Sequence, residues 1–176
     1  MENMDFDLRS IQEARELCKY GSVAAGRIAK YTEEQIDRIL RSMVKAAEEH
    51  AAELAQMAVE ETGFGKVLDK TYKNHAASTL LYHYIKDMKT QGVIREDPVN
   101  KMFEVADPVG LIMCIIPSTN HTSTVIYKAM IAIKSRNAII FSPHPSALKC
   151  TSRAAQLMAQ AAVDAGAPSD TIGCLS

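Results

Sequence analysis

The chain has 176 residues, of which 47% are hydrophobic, and 20 basic and 21 acidic side chains give it a formal net charge of −1. This length is enough for one domain and marginal for two, and the apolar fraction argues for a packed core and against disorder. The balanced charge and the absence of tryptophan argue against binding to nucleic acid or to an anionic membrane surface.

The chain is predicted to be helical from residue 8 to residue 90. Apolar side chains recur at helical spacing between residues 8 and 18. Thr32, with Gln35 three residues later, has the capping-box pattern that begins a helix. The apolar positions that follow predict one continuous helix that ends at Gly63. A third helix is predicted over Asp69–Lys89.

Beyond Gly92 the pattern changes to short apolar runs that predict β-strands. Met102–Ala106 is predicted to be a short strand before an Asp-Pro break. The unbroken apolar run Val109–Ile116 is typical of a central parallel strand that is covered on both faces. A helix capped by Thr122 or Ser123 is predicted next. Three further elements are predicted after it: a strand over 138–141, a helix over 147–165 and a strand over 171–175.

The order of these elements predicts an α/β fold, with N-terminal helices followed by a βαβαβ unit that forms a parallel sheet with right-handed crossovers. We expect residues 1–90 to be a helical segment and residues 91–176 to be the first half of a nucleotide-binding sheet. A sheet of three strands whose last strand ends the chain predicts that the sequence is truncated from a longer protein. The alternative is a complete small domain that finishes on a strand.

Two polar turns, at residues 117–120 and 142–145, follow the first two parallel strands. Ligands of such sheets bind beyond the carboxyl ends of the strands, so both turns are expected to line one crevice. Neither turn is a glycine-rich phosphate loop. Asn120 carries amide donors that suit an oxyanion, but asparagine is also a common helix cap, and spacing alone favours the cap. His144, between two prolines, suits contact with a nucleotide or phosphate and equally suits a surface turn.

The cysteines and histidines give no sign of a metal site. The four cysteines are widely spaced and form no CxxC pair, which argues against zinc and against a disulfide framework. The N-terminus has neither the basic nor the apolar region of a signal peptide, and the longest apolar run is too short to span a bilayer. A cytoplasmic protein without a metal is therefore expected.

Two segments resemble the aldehyde dehydrogenase superfamily, and more closely its CoA-acylating branch. They read DPVGLIMCIIPSTNHTSTVIYKAMIAIKSRNAIIFSPHPSA and MAVEETGFGKVLDKTYKNHAAS. The resemblance covers nearly the whole chain from about residue 11. That branch contains stand-alone acetaldehyde or propionaldehyde dehydrogenases and the N-terminal half of bifunctional aldehyde-alcohol dehydrogenases. The resemblance implies a Rossmann-like cofactor sheet and an oxidoreductase that converts a short-chain aldehyde, CoA and NAD⁺ to acyl-CoA and NADH.

The resemblance also implies roles for particular residues. Asn120 matches the family asparagine that stabilises the oxyanion. The strand end and turn that lie against the dinucleotide match Ile115, Ile116, Pro117, Ser118 and Thr119. Ser142, Pro143 and His144 match the family's turn after the second parallel strand. Non-acylating relatives carry in that turn a lysine and a glutamate that contact the adenosine ribose, and Ser142 and Pro145 stand in their places. Both NAD and NADP are therefore candidate cofactors.

The family's nucleophilic cysteine lies beyond residue 176, in a separate catalytic domain, and none of the four cysteines matches it. This stretch alone is therefore expected to be inactive. The resemblance implies a small aldehyde and CoA as partners, a homo-oligomer for the full-length protein, and a bacterial microcompartment as an alternative to the open cytoplasm.

Two other functions are alternatives to the enzyme. The first is a non-catalytic nucleotide-binding or assembly module, with residues 8–18 as a targeting helix. That segment continues into the next part of the chain without a linker, so we interpret it as the first helix of the domain. The second is an unrelated nucleotide-binding α/β protein, which the turns without glycine disfavour.

Overall fold

The computed structural model describes residues 5–176, which form seven α-helices and five strands. The α-helices are α1 (Phe6–Ile28), α2 (Glu33–Glu49), α3 (Ala51–Thr62), α4 (Val67–His75), α5 (Leu81–Ile85), α6 (His121–Lys134) and α7 (Leu148–Asp164). The strands are β1 (Gly92–Asp97), β2 (Met102–Ala106), β3 (Leu111–Ile115), β4 (Ala138–Ser142) and β5 (Ile172–Cys174). Of the helices within residues 5–176, none combines the length and the apolar character that a membrane crossing requires. The expectation about a signal peptide concerns the first ten residues, of which 1–4 lie outside the described residues.

The parallel sheet has the order β3-β4-β5, with Leu111 opposite Ala138 and Ile139 opposite Ile172. Helices α6 and α7 connect its strands, which confirms the predicted α/β class and the βαβαβ unit. The predicted central position of Val109–Ile116 does not hold among residues 5–176. Within the described chain β3 lies at the edge of the sheet, and Ile115 is 81% exposed. The central strand is β4, whose Phe141 is fully buried.

Helix α1 packs on the parallel sheet, where small residues allow a close approach. A Cβ atom on Gly21 of α1 would lie 2.9 Å from Leu111 Cδ1, and one on Gly173 of β5 would lie 3.3 Å from Leu17 Cδ2. Ile28, at the end of α1, belongs to the same hydrophobic core as α2, α6 and α7. The segment 8–18 is therefore part of the first helix of the folded unit, as we interpreted it.

The helical half differs from prediction at one break. The predicted single helix after Thr32 is two helices, α2 and α3, which separate at His50 (φ −106°, ψ 8°). Both ends of the predicted helix are confirmed. Thr32 Oγ1 accepts from the Gln35 backbone N–H at 3.3 Å, Gln35 Oε1 accepts from the Thr32 N–H at 2.9 Å, and Gly63 ends α3 with φ +70°. The predicted third helix consists of α4, a π-helical turn over Ala76–Leu80, and α5.

A separate hairpin stands between the helices and the parallel sheet. The prediction of β2 is confirmed, but β1 was not predicted; the two strands pair antiparallel, with Gly92 opposite Ala106. Strand β1 lacks a signal because both of its faces are largely exposed, so its side chains do not alternate between apolar and polar.

Loss of the Thr32 cap is expected to weaken α2. Thr32→Ala removes the acceptor for the Gln35 N–H, so the free energy of unfolding should fall by about 1 kcal/mol in urea titrations. Thr71→Ala is the matched control, because the Thr71 hydroxyl donates to the Val67 carbonyl of its own helix. An equal loss in both variants would contradict a capping role for Thr32.

Candidate functional site

The two polar turns leave the same edge of the parallel sheet. Ile115, the last residue of β3, stands opposite Ser142, the last residue of β4. The Ile116 N–H donates to the Ser142 carbonyl at 2.9 Å, which ties the start of one turn to the start of the other. The expectation that both turns lie at one edge is therefore met, at the place where open α/β sheets bind ligands.

Asn120 occupies the N-cap position of α6, but its side chain does not cap the helix. Its Oδ1 atom accepts from Lys73 Nζ at 3.1 Å, and its backbone carbonyl accepts the Thr124 N–H. The sequence-based preference for a capping side chain is therefore wrong, although the position is right. Asn120 is exposed, and its Nδ2 group donates to no atom of residues 5–176. Thr122 and Ser123, the other predicted caps, lie inside the first turn of α6.

One face of α4 holds the residues around Asn120. Lys70 Nζ donates to the Thr119 carbonyl at 3.0 Å, and the Thr122 hydroxyl donates to Asn74 Oδ1 at 3.0 Å. Lys70 and Asn74 are buried. Burial lowers the pKa of Lys70, and the nearby charge of Lys73 lowers it further. The sequence analysis did not identify this face. The i, i+3, i+4 spacing of Lys70, Lys73 and Asn74 indicates that the three side chains share one side of a helix.

His121 lies beneath the first turn and is fully buried. Its Nδ1 atom lies 3.1 Å from the Ser118 carbonyl, and its Nε2 atom has no hydrogen-bond partner within the described chain. Burial lowers the pKa of His121, and the positive charge of Lys70 adds to that effect. The ring is therefore neutral at pH 7 and supports the Ser118 carbonyl through Nδ1–H.

His144 stabilises the second turn through its ring. The Ser146 N–H donates to His144 Nδ1 at 3.2 Å and closes a short 3₁₀ turn over Pro145–Ala147. With Nδ1 as the acceptor, the neutral ring carries its proton on Nε2. The side chain is exposed, so this N–H can donate to a ligand. Ser142 and Pro143, just before it, are half-buried.

The N-termini of the two crossover helices differ in availability. Glu61, at the end of α3, accepts the backbone N–H groups of Lys149 and Cys150 at the start of α7, both at 2.8 Å. Burial raises the pKa of Glu61, but hydrogen bonds from the Cys150 thiol and from these two N–H groups hold it below its ordinary value. The first turn of α6 has no such carboxylate among the described residues. The start of α7 is therefore occupied by a carboxylate, whereas the first turn of α6 carries none of its own.

Two of the four cysteines are shielded from solvent. All are free, and Cys114 and Cys150 are buried. Burial, reinforced by Glu61, raises the pKa of Cys150 to about 12, so this group is a thiol at neutral pH. Between residues 5 and 176, no group of three or more His, Cys, Asp or Glu side chains is placed to hold a metal ion.

Comparisons with known proteins give a consistent result. The sequence profile of the aldehyde dehydrogenase family matches residues 5–175. The bifunctional aldehyde-alcohol dehydrogenase of Escherichia coli K12 is 46% identical over 164 residues. An acetylating aldehyde dehydrogenase from Geobacillus thermoglucosidasius superposes with a TM-score of 0.93 at 56% identity over 97% of this chain. A propionaldehyde dehydrogenase from a fucose-utilisation microcompartment of Clostridium phytofermentans superposes with a TM-score of 0.76 at 26% identity over 92% of the chain.

These relatives are much longer than the chain. The matched part is 18% of the Escherichia coli protein, 38% of the Geobacillus protein and 36% of the Clostridium protein. The similarity therefore extends over one part of each relative, the part that contains the two turns.

Proposed function

This chain belongs to the aldehyde dehydrogenase family, and from that membership we propose that it forms part of a CoA-acylating aldehyde dehydrogenase. The proposed reaction converts a short-chain aldehyde, CoA and NAD⁺ to acyl-CoA and NADH. The observation that carries the proposal is the Asn120 amide at the N-terminus of α6, whose Nδ2 group donates to no atom of residues 5–176. The name of the Geobacillus relative, an acetylating aldehyde dehydrogenase, supports the acyl transfer to CoA.

We propose that Asn120 stabilises the negative charge that forms on the aldehyde oxygen when a nucleophile attacks the carbonyl carbon. A fixed N–H donor has its largest effect on a charge that grows in the transition state, because the donor is already oriented when that charge appears. The positive end of the α6 dipole acts in the same direction. The attacking thiolate would come from another part of the enzyme, because none of the four cysteines of this chain matches the family's nucleophile.

The residues at the sheet edge suit a dinucleotide, which supplies the hydride acceptor when bound. We propose that the first turn contacts it through the apolar side chain of Ile115 and the residues Ile116, Pro117, Ser118 and Thr119. The second turn offers the Ser142 hydroxyl, Pro143 and the Nε2–H of His144. Residues 142–147 include no carboxylate that would repel a ribose phosphate. We propose NAD as the cofactor, and the absence of such a carboxylate supports NADP as a second one.

The direct test is an assay of the full-length gene product with acetaldehyde, CoA and NAD⁺, followed by the absorbance of NADH. We expect NADH to form when CoA is present and to fall to background when CoA is omitted. A parallel assay with NADP⁺ tests the second cofactor. Absence of NADH with every short aldehyde would contradict the proposed function.

We also propose that residues 1–90 and 91–176 are the helical segment and the first sheet of one cofactor domain. One hydrophobic core is shared by α1, α2, α6, β4 and α7, which supports the proposal that both segments belong to a single domain. Partners of the full-length protein would be a small aldehyde, CoA and further copies of itself. We propose a cytoplasmic location. Encapsulation is the alternative, because the Clostridium relative comes from a microcompartment.

Deletion of residues 1–18 distinguishes a targeting helix from a structural one. We expect the shortened protein to lose solubility, because Leu17 packs close to Gly173 of the parallel sheet. A soluble, active protein without these residues would favour a targeting role for the segment.

A further inference from the structure

We propose that Lys73 is a positioning residue that fixes the Asn120 amide with its N–H group free to donate. The proposal rests on the proposed function of Asn120 and adds to it the group that holds the amide in its active orientation. Lys73 stands 47 residues before Asn120 in the chain, on α4, and the fold alone brings the two side chains together.

The chemistry of the contact decides which way the amide points. A lysine ammonium is a donor only, so it pairs with the carbonyl oxygen of an asparagine and not with its NH₂ group. The Nζ–Oδ1 distance of 3.1 Å therefore orients Nδ2 away from the ammonium group. Without Lys73 the amide can turn about its last side-chain bond, and in the reversed orientation it would offer an acceptor to the oxyanion. The ammonium charge also withdraws electron density from the amide and strengthens Nδ2–H as a donor.

The two neighbours of Lys73 on the same face of α4 make the position rigid. Lys70 holds the Thr119 carbonyl, and Asn74 accepts the Thr122 hydroxyl while donating from Nδ2 to the Ala51 carbonyl at 2.9 Å. Buried side chains thus hold the Thr119 carbonyl before Asn120 and the Thr122 hydroxyl after it. Lys73 holds the side chain in between.

Stability of the fold does not account for the Lys73 contact. Both Lys73 and Asn120 are exposed, and an exposed polar contact contributes little to folding. Lys70 and Asn74, which are buried, are the structural members of this face. Lys73 can therefore be replaced without unfolding the protein, and any effect on the reaction can be measured separately.

The test is steady-state kinetics of the full-length enzyme with Lys73→Met, Lys73→Arg and Asn120→Ala, alone and combined. We expect Lys73→Met to lower kcat about tenfold, less than the loss of the donor itself, and to leave KM for the aldehyde within about twofold. Lys73→Arg, which keeps the charge and the donors, should restore most of kcat. Lys45→Met is the matched control, because the Lys45 ammonium contacts Glu49 of its own helix, at 3.9 Å.

The double variant separates positioning from other effects. In the Asn120→Ala background, Lys73→Met should change kcat less than about twofold, because there is no amide left to orient. A tenfold loss in that background, or a wild-type kcat for Lys73→Met alone, would overturn the positioning role. An unimpaired Asn120→Ala enzyme would instead overturn the proposed oxyanion role of Asn120, on which the positioning role rests. Thermal unfolding should show equal midpoints for Lys73→Met and Lys45→Met.

Discussion

Asn120→Ala is expected to lower kcat of the full-length enzyme by about 10²- to 10³-fold, the loss seen when one oxyanion donor is removed. The thermal midpoint should stay near that of the wild type, because the Asn120 side chain is exposed and caps no helix. The measurement is the initial rate of NADH formation with saturating aldehyde, CoA and NAD⁺. Asn100→Ala is a suitable control, because Asn100 bonds to Asp97 in the hairpin turn.

Asn120→Asp distinguishes a role of this residue as a helix cap from a role as an oxyanion donor. Aspartate is as good a helix cap as asparagine, so a capping role predicts an active enzyme. A carboxylate has no N–H donor and would repel an oxyanion, so the proposed role predicts a loss at least as large as that of Asn120→Ala. A wild-type kcat for Asn120→Asp would exclude the proposed role.

Glu61→Ala is expected to lower the free energy of unfolding by about 2 kcal/mol, the largest change in stability we expect at this site. The variant leaves the N–H groups of Lys149 and Cys150 without their acceptor and removes a negative charge from the positive end of α7. Because Glu61 is partly exposed, water replaces some of the lost interaction and limits the loss of stability. Urea titration measures the change. Glu60→Ala is the matched control, because the Glu60 carboxylate accepts from Gln56 of the same helix.

The effect of Glu61 should depend on pH. Burial raises the pKa of Glu61, but its donors outweigh burial, so the pKa in the folded protein lies below the ordinary value of about 4.3. Its stabilising contribution is therefore complete above about pH 4.3 and is lost as the pH falls through the lower pKa of the folded state. The difference between wild type and Glu61→Ala should shrink in that acid range. A difference that stays constant down to pH 2 would contradict the ionic role.

Several features of the fold follow from residues that are close together in the chain. The Thr32 cap, the end of α3 at Gly63 and the strands β4 and β5 all depend on interactions within a few residues or on a continuous apolar run. The position of the two turns after strands β3 and β4 follows from the order of the elements. These features were predicted because local hydrogen bonding and hydrophobic periodicity leave a direct pattern in the sequence.

Other features depend on which elements become neighbours. The apolar run of β3 predicts a buried strand but does not say which strands lie beside it. Only the sheet order places β3 at the edge and β4 at the centre of the described sheet. The break at His50 divides a helix whose apolar pattern continues across it. Strand β1 pairs with β2 across a turn, and no short sequence pattern predicts which residues of the two strands stand opposite each other.

The same division applies to the candidate site. The sequence by itself determined that Asn120 stands at the start of a helix after a strand, and the family resemblance suggested its role. Only the tertiary structure decided that its side chain contacts Lys73, and that Glu61 occupies the start of α7, 88 residues further along the chain. The physical reason is that a hydrogen bond between distant residues depends on the packing of whole helices, which spacing within one segment does not record.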